Sequence, residues 1–367
     1  MYKDYLQEKK ISWVLRGLIN SNFLFSLGGI INNQRKENKR MKNIAIIGSG
    51  TWGVALAIHL ANLGNNVKIW SFTQEETDSI NIDRKCKFLP NAVIEENITC
   101  YTDIKTVIDG SDIILHVTPS KFVRDTIQKY KQYVTSQPII MCAKGFEEGT
   151  LCTLSQIIEQ EMPNSKYGIF SGPSHAEEVS LGIPTAIVIA SKDKEVQNLV
   201  QETFMNEKMR VYTSDDVIGV ELGGALKNII AFCAGIATEI DLGDNSFAAL
   251  ITRGLVEITR LGMAMGGKHD TFYGLSGLGD LMVTCMSEHS RNRRAGRLIG
   301  RGYTVEEARK EIGMVIESID NIDVAYALSK KYNIEMPIVN AVYDVLYNKL
   351  NPRDAVTMLM TRERKSE

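Results

Sequence analysis

From Asn43 onward, short apolar runs alternate with stretches whose apolar positions recur at helical spacing. Asn43 to Ile47 is an apolar run closed by Gly48. Val54 to Leu63 carries the i, i+3, i+4 pattern of a helix, which Gly64-Asn65-Asn66 ends. Val67 to Trp70 is the next apolar run. Strand, helix and strand together make a β-α-β unit of about 30 residues, the size of a mononucleotide-binding half. Further runs follow at Asp112–Val117, Pro138–Cys142, Tyr167–Ser171 and Thr185–Ala190, with Met209–Tyr212 as the last strand. Helical patterns lie between most of them, so the spacing predicts a mainly parallel, doubly wound α/β sheet.

After about residue 215 the strand-like runs nearly vanish. Glu221–Asp241, Asn245–Met265, Thr304–Lys310, Asp320–Tyr332 and Pro337–Tyr347 all show helical periodicity. The chain therefore divides into an α/β Rossmann-type domain at 41–215 and an all-α domain at 216–367. Residues 1–40 have another texture. Ile11 to Ile31 is apolar but broken by Arg16, Asn20, Ser21 and Asn22, too often for a spanning helix. No small-residue cleavage site follows, and Asn32 to Arg40 is polar and basic like a linker. The expectation is an N-terminal extension, disordered or outside the native start, with Met41 as that start. The alternative is an amphipathic segment that touches a membrane.

Composition narrows the ligand. Hydrophobic residues make up 44% and charged residues 23% of the 367, enough for a real core. A net charge of −2 gives no general attraction to nucleic acid or anionic membrane, so an anionic ligand needs a local cluster of cations. The six cysteines form no C-x-x-C pair and no zinc spacing, and no metal is expected. They read as buried thiols of a cytoplasmic protein.

Gly48-Ser49-Gly50-Thr51-Trp52-Gly53 matches G-x-G-x-x-G and follows a strand and opens a helix, the context that gives the motif meaning. Gly48 permits the tight turn, Gly50 lets backbone approach a pyrophosphate, and Gly53 lets the helix pack close to the strand. The helix N-terminus offers unpaired N–H groups to phosphate. The acid that would grip a ribose at the end of the second strand is missing: Ser71 and Phe72 stand there. No arginine stands there either, so NAD and NADP both remain open. Glu75 and Glu76 fall too late, at the start of the next helix.

Four further segments carry polar chemistry. Lys144 in Cys142-Ala143-Lys144-Gly145 follows a strand at the edge where doubly wound sheets bind ligands. A solvated lysine is the plain alternative. Ser171-Gly172-Pro173-Ser174-His175-Ala176 has small residues that admit a ligand, or make a simple turn. Gly223-Gly224-Ala225-Leu226-Lys227-Asn228 puts two glycines inside a helix at about 1 kcal/mol each, which suggests close packing against the cofactor half. Lys227 is then on a stiff element, and burial beside other cations would lower its pKa toward that of a useful base. Gly274 to Arg294 holds Asp280 and then Ser290-Arg291-Asn292-Arg293-Arg294, suited to a ligand with hydroxyl and phosphate groups. A basic surface loop or an RNA-touching patch is the alternative, and the overall charge argues against RNA.

In order and spacing, these motifs resemble the NAD(P)-dependent glycerol-3-phosphate dehydrogenases of bacteria, from about Met41 to about Arg364. The resemblance implies a Rossmann-type domain followed by a helical domain that contributes to a homodimer. It implies NAD or NADP as cofactor, and reversible hydride transfer between sn-glycerol 3-phosphate and dihydroxyacetone phosphate, which supplies phospholipid synthesis. Carried over by motif, Lys227 looks like the proton acceptor, Asp280 the acid that orients it, and Lys144 a residue touching cofactor and substrate. Gly172, Ser174, Asn228, Ser290, Arg291 and Asn292 resemble substrate contacts. Thr51, Trp52, Phe72, Ala176, Arg291, Val315 and Glu317 resemble cofactor contacts beside the glycines. Two positions depart from the family: Phe72 stands where Arg or His is frequent, and Ser318 where glycine is common. Related hydroxy-acid or sugar-acid dehydrogenases share the loop and the helical half. A catalytically silent nucleotide sensor would have lost the Lys227, Asp280 and Arg291 set. A phospholipid-surface role would rest on residues 1–40.

Overall fold

The computed structural model describes residues 40–364. The expectations for the N-terminal extension therefore lie, all but Arg40, outside the described residues. Eight strands form one sheet: β1 (Asn43–Ile47), β2 (Asn66–Trp70), β3 (Ile98–Tyr101), β4 (Ile113–His116), β5 (Ile139–Met141), β6 (Tyr167–Ser171), β7 (Thr185–Ala190) and β8 (Met209–Ser214). Their order is β3-β2-β1-β4-β5-β6-β7-β8. Every pairing is parallel except β6 with β7. The expected doubly wound α/β sheet is thus present, with one strand more than the apolar runs indicate. That strand is β3, only four residues long.

β1 shows why the runs become central strands. Ile44 and Ile46 enter the core on one face of the sheet, while Ala45 and Ile47 enter the core on the other. Two buried faces demand a continuous apolar run rather than alternation. The chain leaves β1 toward β2 and β3, then returns to place β4 on the other side of β1. This reversal opens a crevice at the carboxyl ends of β1 and β4, the usual ligand position in such sheets.

Beyond β8 the described chain is helical. With α1 (Thr51–Asn62) and α2 (Gln74–Asn81) in the sheet half, the helix α3 (Val217–Glu239) runs through the middle of this one. It is long and apolar enough to cross a bilayer, with mean hydropathy 1.6, but 94% of that stretch is buried inside the fold. Each fully buried Leu or Ile there contributes about 1.5–3 kcal/mol. Two buried anchors tie α3 and its neighbours to the sheet half. Glu221 accepts from the Ser155 N–H at 2.8 Å and the Ser155 hydroxyl at 2.6 Å. The Phe146 N–H, just past β5, donates to Asn321 Oδ1 at 3.3 Å.

The glycines of α3 pack as their helix-interior cost suggests. A Cβ on Gly224 would meet Ser171 Oγ at 2.6 Å and the Lys144 side chain at 3.5 Å. A Cβ on Gly223 would meet Ser276 O at 2.7 Å. Further along, a Cβ on Gly235 would stand 2.0 Å from Arg293 O, and one on Gly296 1.9 Å from Phe232 O. The backbones therefore touch where α3 crosses the helix Arg291–Gly300.

Candidate active site

The glycine loop joins β1 to the helix α1 (Thr51–Asn62). Gly48 has φ +126° and donates its N–H to Trp70 O at 3.1 Å, binding the loop to the end of β2. A Cβ on Gly53 would stand 2.1 Å from Gly48 O. Gly50 differs: a Cβ there would meet nothing within 4 Å, and as the N-cap of α1 it offers no side chain to the first N–H groups. Space in front of uncapped helix donors suits a pyrophosphate, so the residues present fit a dinucleotide. Thr51 and Trp52 open α1, half-buried, with Trp52 packed against the core below the sheet. Phe72 is 74% exposed just past β2, and Lys129 lies over its ring at 5.2 Å.

Glu76 departs from its sequence expectation. It lies in the first turn of α2 (Gln74–Asn81), yet its carboxylate returns to the loop. Oε2 accepts from Ser49 Oγ at 2.5 Å and from Ser71 Oγ at 2.7 Å. Side chains of a helix lean toward its N-terminus, so a residue three positions into α2 reaches back to the strand end.

The second cluster forms where the carboxyl ends of β5 and β6 meet the helical half. A π-helical turn, Leu275–Gly279, delivers Asp280 to the start of α4 (Asp280–Met286). Asp280 is 1% exposed and sits between two lysines. Oδ2 accepts from Lys144 Nζ at 2.7 Å, and Oδ1 accepts from Lys227 Nζ. Lys227 also donates to Thr284 Oγ1 at 2.8 Å. Lys144 spans the halves, donating to Gly172 O at 3.1 Å and to Ser174 Oγ at 3.3 Å. Gly172 has φ +147°, a conformation that turns its carbonyl to these donors at no cost to a residue without Cβ. Ala176 opens the next short helix, buried against the same core as α1.

Electrostatics follow from burial and this alternation of charge. Burial pushes the Lys227 amine down to about 8, and Lys144 assists while Asp280 opposes. Burial pushes the Asp280 carboxyl up, but Lys144 and Lys227 outweigh it and hold the group below the usual carboxylate range. An amine near 8 beside a fixed anion can both take and give a proton near neutral pH. The His175 imidazole is pushed down, mainly by burial and then by Lys227, and its Nε2 is buried without a hydrogen-bond partner.

A chain of amides leads from Lys227 to the basic segment. Asn228 Nδ2 donates to Glu317 Oε2 at 2.9 Å, and Asn292 Nδ2 donates to Asn228 Oδ1 at 3.0 Å. The Ser318 N–H donates to Asn292 Oδ1 at 2.9 Å, a bond that any residue but proline makes, while the Ser318 hydroxyl, where the chain departs from the family pattern, is buried without a hydrogen-bond partner. Ser290 caps the helix α5 (Arg291–Gly300), accepting from the Arg293 N–H at 3.2 Å. Arg291 donates to Val315 O at 3.2 Å. Val315 and Glu317 flank the start of α6 (Glu317–Lys331). Lys144, Gly172, Ser174, Lys227, Asn228, Asp280, Asn292 and Glu317 thus fall into two short hydrogen-bonded strings joined through adjacent Lys227 and Asn228. The glycine loop, Phe72 and Ala176 lie outside those strings, as do Ser290 and the Arg291–Val315 pair. The sequence reading misses Thr284; its signal is its spacing, one helical turn after Asp280.

Family models for the N-terminal and C-terminal regions of NAD-dependent glycerol-3-phosphate dehydrogenase match residues 43–197 and 216–357. The chain belongs to this family. A glycerol-3-phosphate dehydrogenase [NAD(P)+] of Fusobacterium nucleatum is 50% identical over 331 residues, covering 89% of this chain and 99% of the relative. One of Clostridium tetani is 44% identical over 364 residues and covers 99% of both chains. A crystal structure of the Coxiella burnetii glycerol-3-phosphate dehydrogenase superposes with a TM-score of 0.85 at 39% identity, over 88% of this chain and 99% of that one. The chain is accordingly an NAD(P)-dependent oxidoreductase of the glycerol-3-phosphate dehydrogenase family, with a Rossmann-type sheet and a helical C-terminal region.

Proposed function

We propose that Lys227 moves the proton at the C2 oxygen of sn-glycerol 3-phosphate, and that Asp280, Lys144, Asn228, Arg291 and Asn292 hold the substrate for it. The observation that supports this most is the buried Asp280 carboxylate between Lys227 and Lys144. Bound NAD(P)+ supplies the acceptor for the hydride that leaves C2. Gly48, Gly50 and Gly53 shape its cradle with Thr51, Trp52 and Ala176 alongside, and Phe72, Val315 and Glu317 complete the contacts. In the direction of oxidation, neutral Lys227 takes the hydroxyl proton as the C2–O bond becomes a carbonyl. In the direction of reduction, the Lys227 ammonium returns that proton to the ketone oxygen of dihydroxyacetone phosphate. Asp280 fixes the amine and neutralises the ammonium form. Lys144, held by Gly172 and Ser174, adds positive potential and disfavours a permanently charged Lys227. Arg291 offers its planar donor fork to the phosphate beside Ser290 and Asn292, so that remote binding energy positions the reacting carbon.

The same reading assigns 41–215 to the cofactor and 216–367 to substrate binding and dimerisation. It makes the enzyme a cytoplasmic homodimer that supplies glycerol 3-phosphate to phospholipid synthesis. Lys227→Ala tests the assignment. NADH binding should persist while reduction of dihydroxyacetone phosphate falls by about 10²–10⁴-fold, the usual weight of a positioned acid or base. Near-native turnover in this variant would remove Lys227 from the chemistry.

A further inference from the structure

The second strand of a dinucleotide-binding unit ordinarily ends on a carboxylate that accepts from the adenosine ribose hydroxyls. Here β2 ends at Trp70, and neither Ser71 nor Phe72 after it supplies one. The carboxylate of Glu76 occupies that neighbourhood instead. Ser49, between the first two glycines of the loop, and Ser71, at the strand end, both donate to its Oε2. The two hydroxyl oxygens lie 2.9 Å apart, so loop, strand end and Glu76 form one compact group. Oε1 makes no hydrogen bond among the described residues.

The local sequence would send Glu76 elsewhere. Thr73-x-x-Glu76 is a capping-box pattern, in which the acid normally returns to the N-cap N–H. The helices that begin after Thr153 and Thr304 close such a box in both directions, through Gln156 and Glu307. α2 closes only half of it: Thr73 Oγ1 accepts from the Glu76 N–H at 3.3 Å. The Thr73 N–H goes to Ser71 Oγ at 3.3 Å, which frees the Glu76 side chain to turn onto the glycine loop.

We infer that Glu76 reads the adenosine ribose and makes this chain select NAD(H) over NADP(H). This rests on the dinucleotide-binding reading of the loop. A carboxylate in that place accepts from a 2′-hydroxyl and repels a 2′-phosphate of about −1.5 to −2 charge. The opposing group is Lys129, whose ammonium lies 5.2 Å from the Phe72 ring centre and 5.8 Å from that of Trp70. It is held over those rings, with no hydrogen bond to Ser49, Ser71 or Glu76 among the described residues, and solvent screens it.

Calorimetric titration of the full-length chain with NADH and with NADPH tests the inference without relying on turnover. The native chain should bind NADH about tenfold or more tightly than NADPH. Glu76→Gln keeps the reach and one acceptor but removes the charge. It should erase most of that preference, chiefly by tightening NADPH binding, while NADH affinity stays within about threefold. Lys129→Ala should leave the preference for NADH in place. A native preference for NADPH, an unchanged ratio in Glu76→Gln, or equal weakening of both cofactors would overturn the assignment; the last would reduce Glu76 to a brace of the loop. Failure of the native chain to bind either cofactor would instead overturn the dinucleotide reading on which the inference stands.

Discussion

The pH dependence of glycerol 3-phosphate oxidation is the most direct consequence of burying Lys227. Lys227 is 6% exposed and its amine titrates at about 8 rather than 10.5, because burial removes the water that solvates its charge. At pH 7.5 an amine of pKa 10.5 is ~0.1% neutral and one near 8 is ~25% neutral, roughly a 200-fold gain in available base. The rate of oxidation should therefore rise with pH and level off above about 8, while the rate of reduction, which needs the ammonium, should fall over the same range. Asp280 stays ionised throughout, since Lys144 and Lys227 hold it below the usual carboxylate range. Single-turnover rates from about pH 7 to 10, followed by nicotinamide absorbance, isolate the chemical step and keep clear of the substrate phosphate, whose second pKa is near 6. Lys227→Arg serves as the perturbation, because a guanidinium stays protonated over this range. It should lower oxidation by about 10³-fold and abolish the inflection. A flat native profile through pH 8, or an arginine variant with a tenth of native activity, would refute the general-base role.

The glycines of the loop separate stability from binding. Gly50→Ala has an alanine-compatible backbone, φ −66° and ψ 175°, and open space for its methyl, so thermal unfolding should stay within about 0.5 kcal/mol of native while NADH affinity falls tenfold or more. Gly53→Ala drives a methyl against Gly48 O and should cost about 2–3 kcal/mol or more of stability in denaturant titrations; similar behaviour of the two variants would contradict the cradle. Arg291→Ala should raise the KM for dihydroxyacetone phosphate by about tenfold or more in steady-state assays with a smaller change in kcat, and an unchanged KM would take Arg291 out of the phosphate site.

The pattern of the chain makes most strands visible because a parallel sheet buries both faces of its inner members. β1, β4, β6 and β7 are apolar runs for that reason. β3 escapes notice because it is a four-residue edge strand whose outer positions are only half-buried. The reversal of β7 against β6 has no local signal, since pairing direction depends on the path between strands. Within the site, Lys227 and Asp280 carry motif signals, but they are 53 residues apart and their contact is a property of the packed helices. Glu76 lies nearer the glycine loop than its place in the sequence suggests, because distance along the chain is not distance in space. Helix geometry turns its side chain back over the turn that precedes it.

The contact between α3 and α5 has a bearing on substrate length. At Gly235 and Gly296 no side chain separates the two backbones. Lys227 lies on α3, and Arg291 and Asn292 open α5. With these residues in the roles proposed, the spacing of the two helix backbones that carry the proton-handling amine and the phosphate-binding guanidinium is set by main chain against main chain. A crossing filled with side chains can widen by changing rotamers, whereas this one behaves as a fixed gauge. The flexible Lys227 and Arg291 side chains take up the remaining reach to a ligand held between those fixed backbones. The matching of a ligand's length therefore begins in the scaffold, and the side chains it carries make the final fit.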